Sequence, residues 1–121
     1  MIVQLITGTR RGWPRPEEVR ACVRRADILI VGDAWGVDSL AFEEAQRCLV
    51  PCLRFVAHWE RFPHGAAGPE RNGRMVKRLL RYRQQDARIL CDAFPDDASR
   101  GTWDCVAKLK KEDFQVTIHR R

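Results

Sequence analysis

The chain has 121 residues, enough for one domain (residues 1–121) with a single core, and its 45% hydrophobic share is ordinary for a globular protein. The formal charge of +6 rests on eighteen arginines and four lysines, an excess that draws phosphate-bearing ligands and can hold them bidentately. No apolar run reaches the roughly 18 residues of a membrane-spanning helix, so no membrane partner is expected.

Strand-like and helix-like segments alternate along the chain. Ile2-Val3-Gln4-Leu5-Ile6 reads as the first strand, and Met1 leads straight into it, so we expect no signal peptide. The first helix starts near Pro14 and Pro16, with Val19, Cys22, Val23 and Ala26 on one face and Arg20 among its solvated residues. Ile28-Leu29-Ile30-Val31 is apolar at every position, as in a strand covered on both faces. A second helix follows Gly36 and is expected to bury Val37, Leu40, Ala41, Ala45, Cys48 and Leu49.

Cys52 to Val56 forms the third strand, and its Arg54 suits a sheet edge. The third helix is expected to begin at Pro69, a good first-turn residue, and to carry Met75, Val76, Leu79 and Leu80. Ile89-Leu90-Cys91 is the fourth strand, a helix follows Thr102, and Phe114 to Ile118 closes the chain with the alternation of an edge strand. These signals predict an α/β three-layer sandwich around a five-stranded, mostly parallel sheet of order 3-2-1-4-5. The switch between strands one and four then forms a crevice lined by residues 8–12 and 99–102.

Each of the four tryptophans falls where a loop from strand to helix would run: Trp13, Trp35, Trp59 and Trp103. Those loops share the ligand-binding edge of such a sheet, and flat aromatic faces beside arginines fit a planar anion, a nucleotide first. Trp13 and Trp103 flank the crevice on this reading, and binding is expected to quench their fluorescence.

Gly8-Thr9-Arg10 after the first strand is a turn through which backbone can approach phosphate, or simply a turn. Asp33 and Asp38 bracket the Gly36 helix start, where each either caps or braces the loop or bonds a ribose hydroxyl. The most specific stretch runs from Trp59 to Met75 and contains Gly68, Pro69, Arg71 and Asn72. Arg71 and Asn72 occupy a first helical turn and are expected to face the crevice. Gly101 and Thr102 open a second helix onto it. Arg71→Ala is expected to weaken phosphate binding and leave the fold intact, with Arg20→Ala as an inert control.

His58, His64 and His119 lack cysteine or carboxylate neighbours at a recognised metal spacing, so no metal and no cofactor is expected. No P-loop ending in Gly-Lys-Ser/Thr is present. The five cysteines form no Cys-x-x-Cys pair and sit mostly in apolar patterns; Cys91 and Cys105 read as core. Reduced thiols and a cytoplasmic location are expected.

Taken in order, Gly8-Thr9-Arg10, Gly36-Val37-Asp38, Trp59 through Met75 and Gly101-Thr102 resemble the SLOG superfamily of Rossmann-like nucleotide-binding domains. They are most similar to its small stand-alone YspA-like, YpsA-related branch, and the superfamily also includes Lonely-Guy phosphoribohydrolases and DprA. The resemblance implies a Rossmann-like fold that binds a nucleotide or a nucleotide-derived, ADP-ribose-like signalling molecule, as a sensor or a sequestering protein. Where the hydrolases carry a catalytic glutamate this chain has Cys105, next to Asp104. Hydrolysis through Arg71 and Asp104 is therefore the alternative, and DprA-like binding of single-stranded nucleic acid a third. Apolar positions such as Leu79, Leu80 and Tyr82 suggest a homo-oligomer joined through helix faces.

Overall fold

The centre of the sheet is β1 (Ile2–Gly8), a seven-residue strand with five consecutive buried positions. In this computed structural model, which describes residues 1–11 and 13–121, it pairs in parallel with β2 (Ile28–Val31) and β4 (Arg88–Phe94). Gly12, expected at the crevice, lies outside the described residues. β3 (Cys52–Arg54) and β5 (Val116–Ile118) add in parallel at the two edges, and the order is β3-β2-β1-β4-β5. This is a Rossmann-like three-layer sandwich.

Period-two alternation sends the strand side chains into two cores. Ile6, Leu29, Val31 and Phe94 meet Val19 and Val23 of α1 (Pro16–Val23) and Val37, Ala41 and Ala45 of α2 (Val37–Arg47). On the other face Val3, Leu5, Ile30 and Cys91 meet Met75 and Leu79 of α3 (Ala67–Gln84) and Cys105 and Leu109 of α4 (Arg100–Lys111). The first two crossovers move the chain outward from β1, and α3 carries it back to β4. The loops after β1 and β4 therefore diverge and leave a crevice at their carboxyl ends.

Several boundaries and burials differ from the sequence expectation. α3 opens two residues before Pro69, and α4 opens at Arg100, so Trp103 lies in a helical first turn instead of a loop. β4 runs on to Phe94 through the buried Asp92. Leu49 is 90% exposed, because the chain leaves α2 there at a positive φ of 56°. Leu79 is fully buried, and Leu80 and Tyr82 pack partly buried against the same core. Arg20 is no inert surface group: its Nε donates at 2.7 Å to Glu44, a buried carboxylate of α2, and so ties α1 to α2. Among the described residues, no helix is long and apolar enough to cross a membrane.

Candidate functional site

A cleft of about 700 Å³ opens where β1 and β4 part. Thr7, Gly8, Thr9 and Arg10 line it from the β1 side, and Ser99, Arg100, Gly101 and Thr102 from the β4 side. Gly68, Pro69 and Arg71 of α3 and Trp59 line it as well.

The cleft floor is built on a chain of charged and polar side chains. Arg71 donates from Nη1 to Asp33 Oδ1 at 2.9 Å and from Nη2 to Asn72 Oδ1 at 3.2 Å. Asn72 Nδ2 donates onward to the Gly101 carbonyl and to Asp104 Oδ2, each at 3.0 Å. Lys108 Nζ closes the chain on both Asp104 oxygens, at 2.6 and 2.7 Å. Asp33 Oδ1 also accepts the Ala57 N–H at 3.1 Å, so the loops after β2 and β3 and the amino end of α4 are locked to one another. Gly32 lets this happen: a Cβ there would lie 2.7 Å from Asp38 Oδ2 and 3.1 Å from Arg71 Nε.

Asp38 is the buried acid of this floor. Its Oδ2 accepts the Ala34 N–H at 3.1 Å, so it braces the loop, while the helix cap at Gly36 has no side-chain bond. Burial pushes its carboxyl up to about 6, against the opposing pull of the Arg71 charge and the Ala34 hydrogen bond. The unfolded chain, with an ordinary aspartate, loses this proton at lower pH than the fold does. Between about pH 4 and 6 the fold therefore binds more protons at Asp38, and its contribution to stability falls as pH rises through that window. The expected result is that this component of the melting-temperature profile is absent from Asp38→Asn; superimposable profiles for the two proteins would rule it out.

The rim is basic. Arg10, Arg11 and Arg100 are exposed, and the amino end of α4 carries neither an acidic residue in its first turn nor a side-chain cap. Asp96 is the acidic exception. Its carboxylate accepts hydrogen bonds from the Thr9 and Ser99 hydroxyls, which hold it below the ordinary aspartate range. The Thr9 hydroxyl is thereby committed to bracing the rim, since it also accepts the Arg11 N–H at 2.9 Å.

The structure gathers Gly8, Thr9, Arg10, Asp38, Trp59, Gly68, Arg71, Gly101 and Thr102 around the cleft, with Asp104. Asp33 and Asn72 support it from behind through Arg71, and Gly36 sets the loop position. Trp13 packs on Phe94 and donates to the Pro95 carbonyl at 3.0 Å, and Trp103 donates to the Asp96 carbonyl at 3.3 Å beneath Arg120. Neither is part of the cleft wall, and Trp35 is 80% exposed. Trp59, 52% exposed, is the tryptophan on the wall.

Sequence patterns missed Asp96 and His64, which also line the cleft. A Pro-Asp-Asp run before a helix was the available signal for Asp96. Patterns also missed a polar cluster on the α1 face: Gln4 Nε2 donates to Asp92 at 2.7 Å, and His119 Nε2 lies 2.8 Å from the same carboxylate. A comparison with protein-family models, with curated proteins and with solved structures finds no match to this chain.

Proposed function

We propose that the chain binds a nucleotide or nucleotide-derived, ADP-ribose-like molecule as a sensor or a sequestering protein. One observation carries this reading: the uncapped amino end of α4 meets Arg10, Arg11 and Arg100 at the switch-point cleft. Helix amino ends and guanidinium groups both favour phosphate oxygens. A cleft of about 700 Å³ is the size of a small-molecule site, and Trp59 offers a stacking face for a base. The resemblance to the SLOG superfamily and its YspA-like branch supports the same class of ligand.

Calorimetry with ADP-ribose and with adenosine monophosphate tests this directly. Arg10→Ala and Arg100→Ala should each weaken binding by roughly one to two decades, since a charge-assisted hydrogen bond is worth about 1.5–3 kcal/mol. Ligand should quench tryptophan fluorescence, and Trp59→Phe should remove most of that quenching while Trp13→Phe and Trp103→Phe leave it. Absence of binding to either compound at millimolar concentration would end the proposal. Affinity that instead grows with oligonucleotide length and collapses in salt would point to single-stranded nucleic acid.

Asp38 is the one observation that favours an enzyme, because a buried cleft carboxyl raised to about 6 is poised for proton transfer. Asp104, by contrast, is held by Lys108 and Asn72, and Cys105 is buried in the core with its thiol pushed up to about 12 by burial. Free base released from a nucleoside monophosphate, and lost on Asp38→Asn, would establish hydrolysis.

A further inference from the structure

We propose that Cys22, Asp92 and His119 form a binding site for a divalent transition-metal ion of the zinc type, outside the cleft and on the α1 face of the sheet. The three come from distant parts of the chain: α1, the middle of β4 and the residue after β5. Cys22 Sγ, an Asp92 carboxylate oxygen and a His119 ring nitrogen all lie within 4.8 Å of one another. Tetrahedral zinc bonded to sulfur, nitrogen and oxygen separates such atoms by about 3.3–3.6 Å. An ion entering the cluster would therefore open the 2.8 Å His119–Asp92 hydrogen bond by roughly 0.5 Å and draw the sulfur in, completing three ligands and leaving the fourth position for water.

The surroundings fit a cation. Asp92 is a carboxylate with 3% of its side chain exposed, and such a charge inside a sheet requires positive compensation. Its permanent cation is Arg25, whose Nη2 stands off at 3.6 Å on a half-exposed side chain, and His119 Nε2 lies closer, at 2.8 Å. Gln4 fixes the carboxylate from behind, the supporting bond that oriented metal ligands need. Its own Oε1 remains fully buried without a hydrogen-bond partner among the described residues. Phe94 stacks on the His119 ring at 4.2 Å and 5°, and the His119 backbone N–H donates to the Ala93 carbonyl at 2.8 Å, so stacking fixes the ring and the ladder bond fixes its backbone.

On binding, the Cys22 thiol gives its proton to solvent as the sulfur–metal bond forms. His119 Nε2, which donates its proton to Asp92 before the ion binds, gives that proton up to solvent while Nδ1 takes one from solvent, and the freed Nε2 lone pair binds the ion. The ion's two positive charges balance the thiolate and the carboxylate, and Arg25 is released to solvent. The site would clamp the short β5 edge to β4 and α1, so occupancy would add to the stability of that edge.

Titration of the reduced, full-length protein with Co²⁺ and then with Zn²⁺ tests this. We expect one Co²⁺ per chain with a thiolate-to-cobalt charge-transfer band that Zn²⁺ displaces. The band should vanish in Cys22→Ser, affinity should fall at least tenfold in His119→Ala, and Arg25→Gln should bind more tightly by removal of the competing cation. At a hundredfold excess of Zn²⁺ over its dissociation constant the melting temperature should rise by roughly 10 °C. Absence of the band, or its persistence in Cys22→Ser with the half-buried Cys48 and Cys52 as the thiolates, would overturn the proposal. If Cys22→Ser does not fold, His119→Ala decides: it alters a partly exposed side chain, and unchanged affinity there would equally overturn it.

Discussion

Arg71→Ala is expected to cost about 3–5 kcal/mol of stability, the usual result of removing one partner from a buried ion pair. The sequence portrays Arg71 as a cation awaiting phosphate, whose loss leaves the fold intact. In the fold it is only 7% exposed and bonded to Asp33 and Asn72, and its charge opposes the burial of Asp38. Alanine would leave two aspartates at the cleft floor facing each other without a counter-charge and would cut Asn72 from one of its partners. Arg71→Lys should recover only part of the loss, because a lysine lacks the fork that spans Asp33 and Asn72. The penalty should also shrink below about pH 6, where Asp38 is protonated. Urea denaturation at pH 7.5 and 5 measures both effects. A loss under about 1 kcal/mol at the higher pH would mean that the network does not bear on stability.

What the sequence made legible follows from how local each signal is. The uninterrupted apolar run Ile28–Val31 marked an interior strand, while Arg54 and the alternation of Phe114 to Ile118 marked edges; together they gave the observed order β3-β2-β1-β4-β5. The glycine turns and the proline in the first turn of α3 located the cleft, because their backbone requirements are local. Partnerships between distant residues were not legible. Asp92 reads as the end of a strand only because Gln4, Arg25 and His119, which make its burial tolerable, lie far away along the chain. Glu44 is buried for the same kind of reason, with Arg20 as its partner from the preceding helix. The tryptophans failed differently. A large apolar ring with one N–H is as well suited to bracing a loop against a carbonyl as to stacking a base, and Trp13 and Trp103 do the former.

Gly36→Ala should be as damaging as Arg71→Ala, and for a purely geometric reason. Gly36 precedes α2 at φ 85° and ψ −124°, a conformation open essentially to glycine alone. A Cβ there would fall on the carbonyl oxygen of Thr9 and lie 2.7 Å from the carbonyl carbon of Arg10. That Thr9 oxygen is already engaged, accepting the Val37 N–H at 3.0 Å, so the strand-one loop cannot yield without losing its anchor on α2. Backbone strain of about 1–3 kcal/mol and a comparable overpacking term give an expected loss of roughly 3–5 kcal/mol. Displacing Thr9 would also break its bond to Asp96 and shift Arg10 and Arg11, so any ligand held at the rim should be lost with it. Gly73→Ala is the matched contrast. Gly73 sits inside α3, and a methyl group added there would meet nothing within 4 Å, so alanine should stabilise by about 0.5–1 kcal/mol. The denaturation midpoints of the two variants should therefore move in opposite directions. A Gly36→Ala protein within about 0.5 kcal/mol of the parent would show that the loop after β1 can rebuild around a side chain, and that this close approach does not define the cleft.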